Sequence, residues 1–468
     1  MKLFNNAEGS NSAKLAIFSD MGEKILYSDL DIISQNLLNK IPSRSLVFSL
    51  NQNTTGSLCG YVAFLQNGIV PVMLESNIDS ELLKNLISIY SPEYLWLPTR
   101  DLNKYSKGRV VHTVFDYSLV ALGNRKGYPL HNDLALLLTT SGSTGSPKLV
   151  KLTYENLLSN ALSISDYLSI DENEKPITSL PMHYSFGLSI INSHLISGAT
   201  ILLTGSTLMQ KEFWSFLKLS EATSLSGIPY SFEMLKKLRF LSMDLPQLKT
   251  ITQAGGKLNH ELNKEFTEYC RKNNKRFYVM YGQTEATARM SYLPPEYSVE
   301  KLGSMGIAIP GGQFSLIDEF GNKIEGYNEV GELVYTGKNV SMGYATSGED
   351  LAQGDENKGI LVTGDLAKQD EDGFFYIVGR KKRFVKLYGN RVNLDETERL
   401  IKNLISDCAC SGEDDKMLIY LTDKNLKEDI IKFVSSKIGI NPRAFELRYV
   451  KKIPKNSSGK TIYSKLPV

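Results

Sequence analysis

The segment Leu134-Ala-Leu-Leu-Leu-Thr139 constrains the fold more than any other in the chain. Consecutive apolar residues without alternation fit a strand buried on both faces, and a strand of that kind needs a sheet covered by helices on both sides. The run feeds Thr139-Thr-Ser-Gly-Ser-Thr-Gly-Ser-Pro-Lys148, in which five of the first six residues carry hydroxyls, two are glycines and a lysine closes the loop. Glycines let backbone N–H groups approach an anion, hydroxyls add donors and Lys148 adds charge, a combination suited to a polyphosphate. The loop leaves a strand and leads to a helix start at Thr153-Tyr-Glu-Asn156, so it does not read as a Ser/Gly linker between domains. Nor is it a Walker A loop. The only Gly-Lys-Thr, Gly459-Lys460-Thr461, has Pro454 where that pattern needs its first glycine.

Around this segment, helix-like and strand-like stretches alternate. Leu30–Leu38 and Leu58–Gly68 read as helices, and Ser45–Leu50 and Val70–Leu74 as strands; after Lys148, Ala199–Leu203 reads as a strand and Phe213–Leu219 as a helix, followed by another apolar piece at Ser224–Ile228. This predicts βαβ units and a largely parallel sheet. From Gly303 the texture becomes β-rich, with short strands at Phe314–Ile317, Glu332–Thr336 and Phe374–Val378. The tail, from the basic run Gly379-Arg-Lys-Lys-Arg onward, reads as a small α+β module with helices at Leu394–Leu404 and Leu426–Ile438 and strands at Met417–Leu421 and Glu446–Val450. A solvated basic run tolerates a hinge, which places a domain boundary near Lys382.

Charge excludes some partners. Lys and Arg number 53 against 51 Asp and Glu, a balance that favours a small-molecule partner over nucleic acid or an anionic membrane. Residues 176–210 contain no Asp, Glu, Lys or Arg, but Pro181, Gly187, Asn192, His194 and Gly198 interrupt any membrane span and point to buried interior. The start of the chain has no apolar h-region, so neither a secretory signal nor an anchor is expected there. Cys59, Cys270, Cys408 and Cys410 are too scattered for a disulfide framework or a zinc site, and a reducing cytoplasm fits them best.

The loop Thr139, Thr140, Ser141, Gly142, Ser143, Thr144, Gly145 and Lys148 resembles the signature loop of the adenylate-forming superfamily, which includes acyl- and aryl-CoA synthetases, carrier-protein adenylation domains and luciferases. Further motifs match in order. Tyr281-Gly282-Gln283-Thr284-Glu285 resembles the family's aromatic-Gly-x-Thr-Glu segment, and Gly331-Glu-Leu-Val, Tyr335-Thr-Gly and Gly343-Tyr344 resemble the glycine-rich segment after it. Thr363-Gly-Asp365 with Gly379-Arg380 resembles the ribose-binding pair, and Lys386-Leu-Tyr-Gly389 the lid loop. Pro454-Lys-Asn-Ser-Ser-Gly-Lys460 resembles the segment of the catalytic lysine. The first 130 residues or so fit by pattern alone.

This resemblance implies an α/β fold: a large N-terminal domain of stacked mixed sheets with flanking helices and a β-rich subdomain (1–382), then a small mobile α+β lid (383–468). It implies ATP and Mg²⁺, with Lys460 bridging the substrate carboxylate and the α-phosphate, Thr284 on that phosphate and Glu285 holding the metal. Asp365 and Arg380 take the ribose, Gly255 and Gly256 flank adenine, and Tyr281 stacks on it. Leu180-Pro-Met-His183-Tyr184-Ser-Phe186-Gly187-Leu resembles the segment lining the acid pocket, where Ile228 and Tyr230 also face. Amino-acid-activating relatives place an Asp there to pair the substrate ammonium, and this chain has no acidic residue between Glu174 and Lys211. An acyl, hydroxyacyl or aryl acid is therefore expected. Lys382 stands at the hinge position, from which Lys386 and Gly389 would turn toward a thiol, either CoA or the phosphopantetheine of an acyl carrier protein. An amino-acid-adenylating enzyme loading a carrier protein, and a nucleotide-binding relative without turnover, stay open as alternatives.

Overall fold

The apolar runs become central strands. In the computed structural model, which describes residues 12–105, 108–123, 127–139, 148–381, 383–388, 390–402, 404–405, 407–413, 415–423, 427–456 and 459–467, four strands pair in parallel: β1 (Leu46–Asn51), β2 (Val70–Glu75), β3 (Tyr94–Pro98) and β4 (Leu134–Thr139), in the order β3-β1-β2-β4. The edges of this sheet are antiparallel. Tyr117–Ala121 and Arg109–Val114 extend it beyond β3, while β5 (Leu149–Thr153) and the short strand Gly343–Ala345 extend it beyond β4. The largely parallel expectation thus holds at the centre and fails at the edges. The reason is connection length: too few residues join β4 to β5 for the crossover that a parallel neighbour needs.

A second sheet centres on β6 (Pro176–Ile177), β7 (Ile201–Leu203), β8 (Ser224–Gly227), β9 (Thr250–Gln253) and β10 (Arg276–Tyr281), all parallel in the order β10-β9-β8-β6-β7. Helices α1 (Thr55–Gln66), α2 (Tyr154–Leu168) and α3 (Ser185–Ile196) contribute to one continuous core with β4, β5 and β7, through Tyr61, Leu136, Val150, Leu157, Leu188 and Ile201. Residues Ser185–Leu195 of α3 are buried all round, which accounts for the charge-free stretch. Its polar side chains are met from within: Ser189 donates to the Phe186 carbonyl, His194 Nδ1 lies 2.8 Å from the Ile190 carbonyl, and Tyr61 donates to Asn192 at 2.8 Å. Among the described residues, no helix is long and apolar enough to cross a membrane.

The chain divides into two compact units. One takes the residues up to Gln313 together with Thr336–Leu361, and the other Phe314–Tyr335 with the residues from Val362 onward. The second holds a four-stranded sheet in the order Gly312–Ile317, Gly331–Gly337, Ile360–Gln369, Phe375–Arg380. It also holds a three-stranded sheet of β11 (Cys408–Glu413), β12 (Lys416–Leu421) and β13 (Phe445–Tyr449). Ile401, Cys410, Ile419, Ile430 and Val434 form the core of that α+β part. The expected boundary after Lys382 falls within this unit.

Helix α2 begins where its capping residues put it. Thr153 Oγ1 accepts from the Asn156 N–H at 3.0 Å, and Asn156 Oδ1 accepts from the Thr153 N–H at 2.9 Å. The Asn156 amide also donates to the carbonyls of Lys338 and Val340, at 2.7 and 2.8 Å, so one side chain fixes the helix start and the approach to Gly343–Ala345. Asn156→Ala should therefore cost about 3 kcal/mol of unfolding free energy, several times an ordinary surface substitution, because a cap is lost and two carbonyls are stripped of their donor. Urea unfolding of the variant against the wild type measures it.

Candidate active site

The strand pairing of β5 with Gly343–Ala345 sets the first part of the site. Tyr344 pairs in register with Val150, close to Lys148, and the Lys148 ammonium lies 3.2 Å from the centre of the Tyr344 ring. The Tyr344 hydroxyl donates to Glu285 Oε1 at 2.8 Å. Burial and that carboxylate push the phenol up, so it remains a donor. Lys151, whose side chain is fully buried, holds this strand's far side. Its ammonium reaches Glu356 at 3.3 Å and the carbonyls of Asp350 and Gln353. Three sequence-distant segments thus meet at one tyrosine ring. The loop between β4 and β5 joins adjacent strands of one sheet, as a binding loop does and a domain linker does not. Thr139 ends β4, half-buried; Thr140, Ser141, Gly142, Ser143, Thr144 and Gly145 lie outside the described residues.

The turn after β10 carries Thr284 and Glu285. A Cβ at Gly282 would lie 1.7 Å from the Ala288 carbonyl oxygen, so only glycine allows the chain to fold back at that point. Gln283 donates to the Tyr281 hydroxyl at 3.1 Å, and the Thr284 and Ser185 hydroxyls are 3.2 Å apart. Thr287 then adopts φ 66° and ψ −51°, with the Ala288 N–H donating to the Ala286 carbonyl at 2.7 Å. This tight γ-turn costs about 1–3 kcal/mol and persists because its surroundings hold it. Thr287 Oγ1 donates to the Asn339 carbonyl at 2.7 Å, and the Asn339 amide donates to the carbonyls of Ala286 and Arg289.

Beside this turn lie the residues expected at the acid pocket. Gly255 has φ +80°, and a Cβ there would meet the Tyr184 hydroxyl at 2.7 Å and Ile228 Cγ2 at 2.9 Å. The expected adenine-side glycine and two expected pocket residues are therefore in contact, with Gly256 beside Pro229. Phe186 is buried and meets Tyr184 edge-on, with ring centres 6.5 Å apart. Gly187 packs on the Pro181 carbonyl. Tyr230 is 46% exposed on the first turn of the helix Pro229–Lys237. His183 Nδ1 is buried without a hydrogen-bond partner, and burial lowers the ring's pKa to about 4, so it is a neutral imidazole at pH 7.

In the second unit, Asp365 is buried and its Oδ1 lies 3.3 Å from Nε of the exposed Arg380, across paired strands. The Lys460 N–H donates to Asn456 Oδ1 and its carbonyl accepts from the Asn456 N–H, both at 2.9 Å. Lys382 and Gly389 lie outside the described residues; Lys386 stands on the strand Phe384–Leu387.

Tyr344, Ser185, Thr287 and Arg289 were not singled out as site residues from the sequence. Arg289 had a signal, being the one charge between Glu285 and Glu296. Among the described residues, no group of three His, Cys, Asp or Glu side chains could hold a metal ion by itself. A single carboxylate fits Mg²⁺ that arrives on a nucleotide, since that ion is commonly held by one or two carboxylates and the substrate's own phosphates.

A family model described as AMP-binding enzyme matches residues 43–345. The chain is similar to a probable CoA ligase of Humulus lupulus, 28% identical over 357 residues, which covers 72% of this chain and 64% of that protein. It is also similar to the luciferin 4-monooxygenase of Photuris pensylvanica, 27% identical over 493 aligned residues, 94% of this chain and 88% of that one. The alignment thus spans less than two thirds of the first relative's length. Among solved structures, o-succinylbenzoate CoA synthetase of Bacillus subtilis in complex with its acyl-adenylate OSB-AMP covers 99% of this chain and 97% of its own, with a TM-score of 0.81 at 20% identity. The same enzyme in complex with ATP and magnesium gives 0.79 at 21%, covering 99% and 98%. At that identity the likeness is one of fold, and the stacked mixed sheets expected from the motifs are the fold found.

The buried imidazoles have a measurable consequence. Burial lowers the pKa of His194 to about 3 and that of His183 to about 4, so between those values and 6.5 the unfolded chain binds more protons than the folded one. Stability must then fall as pH drops below 6.5, with His194 contributing roughly 3 kcal/mol of the loss by pH 4. His194→Gln should show a shallower decline in its urea midpoint between pH 6.5 and 4.5 than the wild type, and equal declines would contradict a buried neutral ring.

Proposed function

The chain belongs to the AMP-binding enzyme family, and from that premise we propose that it activates a carboxylic acid as its acyl-adenylate and passes the acyl group to a pantetheine thiol. The observation that carries this reading is the convergence of Lys148, Tyr344 and Glu285 beside Thr284, next to the contact of Gly255 with Tyr184 and Ile228. A cation, an oriented carboxylate and a hydroxyl in one place suit a triphosphate with its metal, and the apolar walls beside them suit an acid's carbon skeleton.

A carboxylate is a poor electrophile, so the first step makes it one. A carboxylate oxygen attacks the α-phosphorus, the bond to the β-phosphate bridging oxygen breaks, and pyrophosphate leaves with that electron pair. Charge builds on the α-phosphoryl oxygens, where Thr284 is proposed to donate and Lys460 to bridge phosphate and carboxylate. Mg²⁺ on the nucleotide would neutralise phosphate charge, and Glu285 is the residue proposed to hold it, one of its oxygens being fixed by Tyr344. Asp365 is proposed to accept from the ribose hydroxyls, oriented by Arg380. In the second step a thiolate attacks the acyl carbon and AMP leaves. Its thiol proton goes to solvent, and Lys386 is proposed on the thiol side after rotation about Lys382. The name of the Humulus lupulus relative, a CoA ligase, supports coenzyme A as the acceptor. The absence of any acidic residue from 176 to 210 supports an acid without an ammonium group.

Lys460→Ala separates the steps. Adenylation, read as acid-dependent ATP–pyrophosphate exchange, should fall at least 100-fold, while thioester formation from supplied acyl-AMP stays within a few-fold of wild type. Unchanged exchange would remove the lysine from the first step. Tyr344→Phe takes the donor from Glu285 and should raise the KM for Mg-ATP about tenfold, the value of one hydrogen bond to a charged group, with little change in the KM for the acid.

A further inference from the structure

Thr287 carries a cost that glycine would not. Its φ of 66° lies where a β-branched residue is a true outlier and where glycine sits without strain. What threonine has and glycine lacks is a hydroxyl, and that hydroxyl donates to the Asn339 carbonyl at 2.7 Å. The contact is returned: the Asn339 amide donates to the Ala286 carbonyl at 2.9 Å and to the Arg289 carbonyl at 3.1 Å, on either side of the strained residue. Asn339 is itself 3% exposed. Next along its segment, the Ser341 N–H donates to the Glu285 carbonyl at 2.9 Å, and the Tyr344 hydroxyl binds the Glu285 carboxylate. Residues 339–344 thus grip the turn at Glu285, Ala286, Thr287 and Arg289, and all of these residues belong to the first unit.

One buried asparagine closing a loop is common. Here the arrangement exceeds what closure needs. β10 and the strand Ser291–Leu293 pair as an antiparallel hairpin with Tyr281 opposite Ser291, and the Met290 N–H donates to the Tyr281 carbonyl at 2.8 Å, so the ladder itself joins the ends of the loop. A relaxed turn of about two to five residues would serve that pairing. The chain instead inserts Gly282–Arg289, carries Thr284 and Glu285 there, and sets the strained residue just after Ala286. Strain of this kind persists only where the surroundings over-determine it, and it gathers where a functional side chain is held in place. Glu285 is that side chain. Its carbonyl is held by Ser341 and one carboxylate oxygen by Tyr344, and an orientation set before a ligand arrives lowers the entropy cost of binding it.

We propose that Asn339 is a positioning residue for Glu285. Through the Ala286 and Arg289 carbonyls and the Thr287 hydroxyl it keeps the turn in its strained form, in which Tyr344 takes one oxygen of Glu285 and the other is left for Mg²⁺ carried by the nucleotide. This rests on the role proposed above for Glu285 and deepens it by naming what orients that carboxylate.

The test is equilibrium binding of ATP to the full chain, once with Mg²⁺ and once with EDTA, which needs no acid substrate. In the wild type Mg²⁺ should tighten ATP at least about tenfold, the value of one contact to a charged group, and Glu285→Gln should remove that gain. Asn339→Ala and Thr287→Val delete the two ends of the clamp one at a time. Each should cut the gain to within about threefold and leave the affinity for AMP, which has no triphosphate to bear the metal, within about twofold of wild type. Thr287→Ser keeps the hydroxyl and should keep the gain. Tyr27→Phe is the comparison for stability alone, because it too strips a donor from two buried carbonyls, those of Leu195 and Ala199; it should lower the urea midpoint and leave the gain unchanged. An undiminished gain in Asn339→Ala overturns the inference and leaves Glu285 its role. Should that variant not fold, the Thr287 pair decides, since equal gains in Thr287→Val and Thr287→Ser overturn it. A loss in Tyr27→Phe as large as in Asn339→Ala also overturns it. ATP binding indifferent to Mg²⁺ in the wild type removes the role of Glu285 and the inference with it, and no ATP binding at all overturns the adenylation reading too.

Discussion

The structure turns on the Tyr344 ring, where the ammonium of Lys148 and the carboxylate of Glu285 are held apart and yet bound to the same group. One lies on the ring's face at 3.2 Å and the other accepts from its hydroxyl at 2.8 Å. A direct ion pair between the two would satisfy both charges and leave neither for a ligand. Through the tyrosine each keeps part of its capacity: the ammonium retains its N–H donors, because a ring face takes none of them in a directed bond, and the carboxylate retains one oxygen. Much else serves to keep that ring in place. The antiparallel pairing of Gly343–Ala345 with β5, the buried Lys151 beneath it and the Asn156 amide on the preceding carbonyls all set the height and direction of Tyr344.

How much of this was legible in the sequence follows from what local pattern can encode. Element positions were, often to within a residue or two: Val70–Leu74 was expected and Val70–Glu75 found, and Thr153 with Asn156 announced the helix they cap. Those signals are periodicity and hydrogen-bonding chemistry within a few residues. The antiparallel sheet edges were not legible, because whether a strand finds a parallel or antiparallel neighbour depends on the connection and on the partner. The site divides the same way. Thr284, Glu285 and Lys148 stand in motifs, whereas the partner of Glu285 is 59 residues away and only the strand pairing brings it there. His183 carried no local sign of having an unpartnered ring nitrogen, since that is a property of what surrounds it.

The buried polar groups of the first unit differ in kind. Those on α3 and at Asn156, Asn339 and Lys151 are matched donor to acceptor, and such groups hold a fold in one arrangement. Others are not: Trp96 Nε1, Asn160 Oδ1, Ser163 Oγ and His183 Nδ1 are buried without a hydrogen-bond partner, so the interior tolerates several such costs at separate places.

The second unit handles the same problem by cross-linking. Arg383 binds Asp395 and Glu398 through two of its nitrogens, donates a third bond to the Cys410 carbonyl and lies 3.8 Å from the centre of the Tyr463 ring; Tyr463 in turn donates to the other oxygen of Glu398 at 3.1 Å. The strand start, the helix Leu394–Lys402, β11 and the turn just after Lys460 are thereby joined through one guanidinium. Burial and the network push the Tyr463 phenol up, so it stays a donor across the physiological range. Tyr463 stands just past Lys460, so this network, together with the bond from the Lys460 N–H to Asn456, fixes the backbone at that lysine.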